Sequence, residues 1–176
     1  TIIVQIVGKT TKDLAQIEEG EYLLDFVGPL GMPTPLDGLK KVAVIGGGLG
    51  TAIAYPQAKK LHKLGADVTV ITGFRNKDLI ILEDELKEVS NKLIVATDDG
   101  SNGNQGFVTD MLQKEIDAGE KFDEVIAIGP LVMMKFVCKL TEKYDIPTTV
   151  SMNPIMIDGT GMCGACRIIV DGETKF

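Results

Sequence analysis

The sequence "KKVAVIGGGLGT", residues 40–51, joins a continuous apolar run to four glycines and a threonine. A short apolar run of this kind is typical of a strand buried on both faces of a parallel sheet. Apolar residues at helical spacing follow as far as Leu64. The stretch therefore predicts a strand, a tight glycine turn and a helix, which together begin an α/β domain.

The same alternation continues along the chain. We expect further strands at 66–74, 92–100, 122–130 and 146–153, and further helices at 79–90, 108–119 and 131–145. Strands alternating with helices through short links predict a doubly wound parallel sheet of five strands. Before it, the patterns predict strands at 1–8 and 21–31, a helix within 9–20, and a boundary in the proline-rich segment "MPTPLDGLK".

Composition excludes several classes of function. The 176 residues carry a net charge of −7, which argues against nucleic acid or an anionic membrane as partner. No apolar stretch is long enough to span a bilayer. Three cysteines are too few for a disulfide framework, so we expect a cytoplasmic setting. The chain opens with "TIIVQIVG" and closes with "VDGETKF", both of which look like folded structure, so we expect a fragment of a longer protein.

The glycine turn predicts a phosphate-binding site. Glycines let the backbone turn tightly and approach a pyrophosphate, while the helix N-terminus faces the anion. The alternative is a plain tight turn between strand and helix. The candidate dinucleotide-binding residues here are Gly46, Gly47, Gly48, Gly50 and Thr51.

The loop after the second strand leaves the choice of dinucleotide open. An acidic residue that would bind the NAD ribose is absent, and "TGFRNKD" places Gly73 and Arg75 there instead. Arg75 suits either a 2′-phosphate, which favours NADP, or the face of an adenine ring. Its alternative role is that of a solvated surface arginine.

Three more loops follow strands and meet the same edge of the predicted sheet. "TDDGSNGNQG" contributes Asp98 and Asp99, "IGP" contributes Gly129 and Pro130, and "SMNPIM" follows the fifth strand. Ligands of open α/β sheets bind at the carboxyl ends of the strands, so we add these residues to the cofactor-binding candidates. No triad or carboxylate pair suggests a catalytic protein side chain.

The segment "DGTGMCGACR", residues 158–167, holds a Cys-x2-Cys pair. Such a pair serves as a zinc half-site, a redox pair or part of an iron–sulfur loop. Cys163 and Cys166 match the last two cysteines of the plant-type Cys-x4-Cys-x2-Cys pattern, and Asp158 stands where the first should be. Cys138 lies at helical spacing among apolar residues and is expected to be a small core residue.

Six segments in order, "VGKTT", "GPLG", "GGGLG", "TDDGSNGNQGFVTD", "GPLVMM" and "DGTGMCGACR", resemble the small (alpha) subunit of NADH-dependent ferredoxin:NADP oxidoreductase. The family is also known as sulfide dehydrogenase or ferredoxin–NADP reductase subunits, and the dihydroorotate dehydrogenase electron-transfer subunit is related. The resemblance implies a remnant of an FAD-binding barrel at 1–36, an NAD(P)-binding domain at 37–152 and a partial [2Fe–2S] loop at 153–176.

The resemblance also implies roles for particular residues. Gly8 and Thr11 match the helix start that binds the FAD pyrophosphate, and Asp158, Cys163 and Cys166 match three cluster ligands, with a fourth cysteine beyond Phe176. Related reductases carry a cysteine where this chain has Ile128.

The implied function is electron transfer between NAD(H), FAD and a [2Fe–2S] cluster. The implied partner is a large flavin and iron–sulfur subunit, with ferredoxin as an indirect acceptor, and we expect the fragment alone to be inactive. The alternatives are the dihydroorotate dehydrogenase electron-transfer subunit and a non-catalytic dinucleotide-binding module whose Cys pair holds zinc.

Overall fold

A computed structural model describes residues 1–175 of the chain. The chain divides into two compact units. One unit is Leu36–Ser151, and the other combines Thr1–Pro35 with the segment from Met152 onward.

The helices in chain order are α1 (Lys9–Leu14), α2 (Thr51–Lys63), α3 (Glu83–Glu88), α4 (Val108–Asp117) and α5 (Leu131–Glu142). The strands are β1 (Lys41–Gly47), β2 (Asp67–Phe74), β3 (Lys92–Thr97), β4 (Glu124–Ile128), β5 (Thr148–Val150), β6 (Ile168–Val170) and β7 (Glu173–Lys175). In the described part of the chain, none of the helices is long and apolar enough to cross a membrane.

The unit Leu36–Ser151 is built on a parallel five-stranded sheet in the order β3-β2-β1-β4-β5, which confirms the predicted sheet. Strand β1 lies at its centre and pairs with both β2 and β4. The chain moves outward in one direction from β1 to β3 and in the other from β4 to β5. The switch point where ligands bind in such sheets therefore lies between the ends of β1 and β4.

Both faces of the sheet are buried, as the continuous apolar runs predict. On one face, valines of β1 and β2 pack against α2 and α3 in a cluster that includes Val42, Val44, Val70, Ala58, Leu61 and Leu86. On the other face, the alternate residues pack against α4 and α5 in a cluster that includes Ala43, Ile45, Ile71, Met111, Leu112 and Val137. The domain thus has three layers, helix–sheet–helix.

Some predicted elements differ in the structure. Residues 1–8 and 21–31 form no strand, so both strand predictions are wrong. A strand needs a neighbour for its backbone hydrogen bonds, and no such pairing involves these segments among residues 1–175. Helix α3 begins only at Glu83, because Leu82 adopts a left-handed backbone conformation with φ of 57°.

The second unit contains α1 and a hairpin. Strands β6 and β7 pair antiparallel, with Val170 opposite Glu173. The two residues between them, Asp171 and Gly172, have φ values of 51° and 80°. Positive φ at both central positions is the signature of a type I′ turn, for which Asp-Gly is a preferred sequence.

Candidate functional site

The glycines after β1 are required by close packing between two turns. A Cβ on Gly47 would overlap the sulfur of Met133, and one on Gly50 would overlap the carbonyl oxygen of Ile128. A Cβ on Gly129 would lie 3.0 Å from the Cα of Gly47. The β1–α2 and β4–α5 turns therefore touch through their backbones, and Gly47, Gly50 and Gly129, three of the predicted cofactor-binding glycines, make that contact possible.

Gly48 differs from its neighbours. Its φ is +52° and nothing lies within 4 Å of the position that its Cβ would occupy. Gly48 begins a short 3-10 turn, Gly48–Gly50, that leads into α2. Gly48 is therefore where this turn offers open space in front of the N-terminus of a thirteen-residue helix.

Two buried hydroxyls belong to residues that neighbour Gly46. A Cβ on Gly46 would stand 2.9 Å from Thr51 Oγ1, and Gly46 is the register partner of Thr72 in β2. Both Thr51 and Thr72 are almost fully buried, and neither hydroxyl has a hydrogen-bonding partner among residues 1–175. Unpaired buried polar groups are rare and call for a functional or solvent partner.

Thr72 is a residue that the sequence reasoning missed. The available signal was its position, since it is a polar residue in the apolar run "DVTVITGF" and directly precedes Gly73. Thr51 was predicted, but as part of the glycine turn and without an indication that it would be buried.

The loops after β2 and β3 are joined. The backbone N–H of Asp98 donates to the Phe74 carbonyl at 2.9 Å, and that of Asp99 donates to the Arg75 carbonyl at 3.3 Å. The Lys77 N–H donates to Ser101 Oγ at 2.7 Å. Arg75, Asp98 and Asp99 are thus brought together at the carboxyl edge of the sheet, as predicted. Gly73 lies beneath them in β2, where a Cβ would overlap Val108 of α4.

The loop that carries Asp98 and Asp99 is held along the edge of β3. The carboxamides of Asn102 and Asn104 both donate to the Val95 carbonyl at 2.9 Å. Hydrogen bonds from the Ser101 side chain and backbone N–H lower the pKa of the Asp99 carboxyl below its usual range. Asp99 is therefore a fixed negative charge at neutral pH.

Gly129 and Pro130 end β4 and begin α5, with Pro130 at the N-cap. Met133, one turn into α5, covers Gly47 and Gly129. Phe107, Leu131 and Val132 stand at the same edge with 62–65% of their surface exposed. These apolar side chains, which the sequence reasoning did not single out, give the edge a partly apolar surface of the kind that planar rings contact.

In the second unit, Gly8 and Thr11 lie at the start of α1. The Thr11 hydroxyl accepts the N–H groups of Val7 and Gly8 at 3.0 Å and donates to the Gly8 carbonyl at 3.1 Å. Gly8 has open space where a Cβ would stand. Thr11 therefore stabilises the helix start, and Gly8 leaves room for a group beside it.

Asp158 is surrounded by hydrogen-bond donors. Thr160 donates its backbone N–H to Oδ1 at 2.9 Å and its hydroxyl to Oδ2 at 3.0 Å. These bonds, the backbone one above all, hold the pKa of Asp158 below its usual range, and the thiol and N–H of Cys163 add to the effect. Asp158, one of the three predicted ligands, is therefore an ionised carboxylate held by Thr160.

Cys163 and Cys166 are free thiols, Cys163 exposed and Cys166 half-buried. Within residues 1–175, no three His, Cys, Asp or Glu side chains converge as a metal site. The chemical types of Asp158, Cys163 and Cys166 nevertheless fit an iron–sulfur cluster, because thiolates and an ionised carboxylate can bind iron. The glycine-rich loop that carries them leaves backbone N–H groups free to face the cluster. Cys138 is a half-buried free thiol on α5.

Comparison with known proteins places the α/β unit in a family. Residues 44–139 match the oxidoreductase NAD-binding domain. The chain is also similar to the solved structure of NADH-dependent reduced ferredoxin-NADP oxidoreductase, with 47% identity and a TM-score of 0.88. That match covers 98% of this chain and 62% of the other.

Two further relatives extend the comparison. The dihydroorotate dehydrogenase B (NAD(+)) electron transfer subunit homolog of Thermotoga maritima is 48% identical over 99% of this chain and 61% of its own length. The C-terminal domain of the PF1911 hydrogenase of Pyrococcus furiosus is 30% identical, with a TM-score of 0.57, over 70% of this chain and 99% of that domain. The chain thus spans less than two thirds of the longer relatives.

Proposed function

The chain belongs to the oxidoreductase NAD-binding family, and from this membership we propose that it binds NAD(H) for electron transfer. Within that family it groups with the ferredoxin:NADP oxidoreductase small subunits and the dihydroorotate dehydrogenase electron-transfer subunits. The proposal for the complete protein is that electrons pass between NAD(H), FAD and a [2Fe–2S] cluster to a large partner subunit. NADP(H) is a second candidate for the dinucleotide, which Arg75 would serve.

The observation that carries the proposal is the open position at Gly48. It lies at the switch point of the sheet and before the N-terminus of α2. A pyrophosphate at this position would accept the free N–H groups of the helix. Gly47, Gly50 and Gly129 allow the two turns to touch, and Gly46 leaves room for Thr51. Arg75, Asp98 and Asp99 lie at the edge where the adenosine would bind.

The second unit supplies the residues for the other cofactors. We assign Gly8 and Thr11 to the FAD pyrophosphate, and Asp158, Cys163 and Cys166 to the cluster. When bound, FAD would accept a hydride and release its two electrons one at a time, and the cluster would carry single electrons. The chain's part is to hold and orient these groups, since the described residues show no nucleophile with an adjacent base.

The test of NAD(H) binding is a titration of the chain with NADH, followed by its fluorescence, for the wild type and Gly48→Ala. We expect Gly48→Ala to weaken binding by at least about tenfold, equivalent to about 1.4 kcal/mol, because the new methyl group occupies the open position. The same titration with NADPH reports the choice of dinucleotide.

Gly65→Ala is the matched control. Gly65 also has a positive φ, of +85°, and open space around its Cβ position, but it lies after the C-terminus of α2, at the opposite edge of the sheet. Both variants therefore carry the same kind of backbone strain. Equal NADH affinity for Gly48→Ala and Gly65→Ala would contradict the proposed site.

The electron-transfer subunit of dihydroorotate dehydrogenase is the second candidate function, favoured by the name of the Thermotoga maritima relative. Asp158 favours the ferredoxin:NADP oxidoreductase type, because the resemblance gives an aspartate ligand to that group and a cysteine to the other. Co-purification of the complete protein with its large subunit, followed by assays with dihydroorotate and with reduced ferredoxin, separates the two.

A further inference from the structure

Thr160 makes three hydrogen bonds within the Asp158–Cys166 loop, through its backbone N–H and its hydroxyl. Its backbone N–H binds Asp158 Oδ1 and its hydroxyl binds Oδ2, so that both oxygens of the carboxylate are engaged. The same hydroxyl oxygen accepts the backbone N–H of Met162 at 3.3 Å. Thr160 therefore joins Asp158 to the residue that immediately precedes Cys163.

The backbone around Thr160 is shaped for this contact. Gly159 and Gly161, on either side of it, have φ values of +73° and +86°. Residues with a side chain rarely adopt such φ values, so glycines are needed at both positions. A Cβ on Gly159 would also lie 3.2 Å from Leu30 of the same unit. The two glycines turn the chain so that residue 160 faces back toward residue 158.

We propose that Thr160 is the positioning residue of the Asp158 ligand, fixing the carboxylate for the [2Fe–2S] cluster and tuning the cluster through its hydroxyl. This inference rests on the proposed function, in which Asp158 is a ligand. Groups that bind a metal ligand from behind orient it and alter how strongly it donates electrons. A hydrogen bond to a carboxylate oxygen draws electron density from the ligand, which favours the reduced cluster.

The test compares Thr160→Val with Thr160→Ser in the full-length protein bound to its partner subunit. Valine keeps the shape of the side chain and the backbone N–H but removes the hydroxyl, whereas serine keeps the hydroxyl. We expect Thr160→Val to lower the midpoint potential of the cluster in a dye-mediated titration followed by electron paramagnetic resonance. We also expect it to lose iron to a chelator faster, by about tenfold or more. Thr160→Ser should behave as wild type.

A second pair of variants shows whether Thr160 acts through Asp158. In an Asp158→Cys background the carboxylate is gone and a thiolate is a weaker hydrogen-bond acceptor, so Thr160→Val should then change the potential and the rate of iron loss clearly less than it does beside Asp158. An unchanged potential and iron release in Thr160→Val alone would overturn the inference. A shift of the same size in the Asp158→Cys background would overturn it as well, because it would assign the effect to the loop backbone.

Failure of the proposed function gives a different result. If the wild-type full-length protein contains no iron and no acid-labile sulfide, the cluster assignment falls, and the role of Thr160 falls with it. If the wild type contains the cluster and the valine variant matches it, only the role of Thr160 falls.

Discussion

At the scale of single residues, the glycines of the β1–α2 turn have two different roles: Gly47 and Gly50 allow close packing, and Gly48 leaves open space for a ligand. Sequence reasoning identified all of them, because glycines between a buried strand and a helix are a recognisable pattern. It did not separate their roles, since the contact of Gly47 and Gly50 with Met133 and Ile128 joins positions about eighty residues apart. Thr72 is visible in the sequence as a polar residue in an apolar run, but the lack of a hydrogen-bonding partner for its hydroxyl among residues 1–175 follows from tertiary packing, which the sequence does not show.

The packing role predicts a loss of stability on Gly50→Ala. Gly50 has a helical backbone, with φ of −57°, so alanine there carries no conformational strain. The added methyl group would overlap the backbone of Ile128, and we expect a free energy of unfolding lower by about 1–3 kcal/mol, as for other overpacked sites. Urea denaturation followed by circular dichroism measures it.

Gly8→Ala is the control for that comparison. Gly8 has φ of −111° and nothing within 4 Å of its Cβ position, so the methyl group has room. An unfolding free energy for Gly50→Ala equal to that of wild type would show that the two turns separate at no cost, and would contradict the packing account.

At the scale of elements, the strands of the parallel sheet were predictable and the segments outside it were not. A buried parallel strand is a continuous apolar run, so β1, β2 and β4 stand out from their surroundings. The edge strand β3 is only half-buried over most of its length, but its run of apolar residues is also recognisable. Residues 1–8 and 21–31 have strand-like composition, but composition does not supply a neighbouring strand. The late start of α3 depends on the backbone of Leu82, which no periodicity reveals.

The amino-terminal edge of the sheet predicts a pH-dependent stability. The Asp123 carboxylate accepts the N–H groups of Lys40 and Lys41 at 2.8 and 2.9 Å, joining the start of β1 to the segment before β4. The Lys41 bond first, and then the Lys40 bond, lower the pKa of Asp123 in the folded protein. A carboxyl whose pKa is depressed on folding stabilises the fold above its unfolded pKa of about 3.9 and loses that effect as the pH falls through its folded pKa.

Asp123→Ala should therefore unfold at lower urea than wild type at pH 7, and the difference should shrink as the pH is lowered below about 4. Urea midpoints measured across this range check the sign. Glu85→Ala, at an exposed position on α3, is the control and should show little difference from wild type at either pH. A gap between Asp123→Ala and wild type that stays constant with pH would contradict the role of the charge.

At the scale of the whole molecule, the described chain contains one unit with a closed core and one with many exposed apolar side chains. The α/β unit buries both faces of its sheet. In the other unit, Tyr22, Leu24, Phe26 and Met32 are each at least 70% exposed. The chain spans 61–62% of the length of two of its longer relatives. The activity proposed above must therefore be measured on the full-length protein.

The most direct test is the composition of the full-length protein, purified without oxygen: its flavin, iron, acid-labile sulfide and zinc, with an absorption spectrum. The electron-transfer account predicts FAD together with about two irons and two sulfides per chain from the centre assigned here. Zinc in the Cys163–Cys166 loop, without flavin or sulfide, would contradict it and leave a dinucleotide-binding module of another purpose.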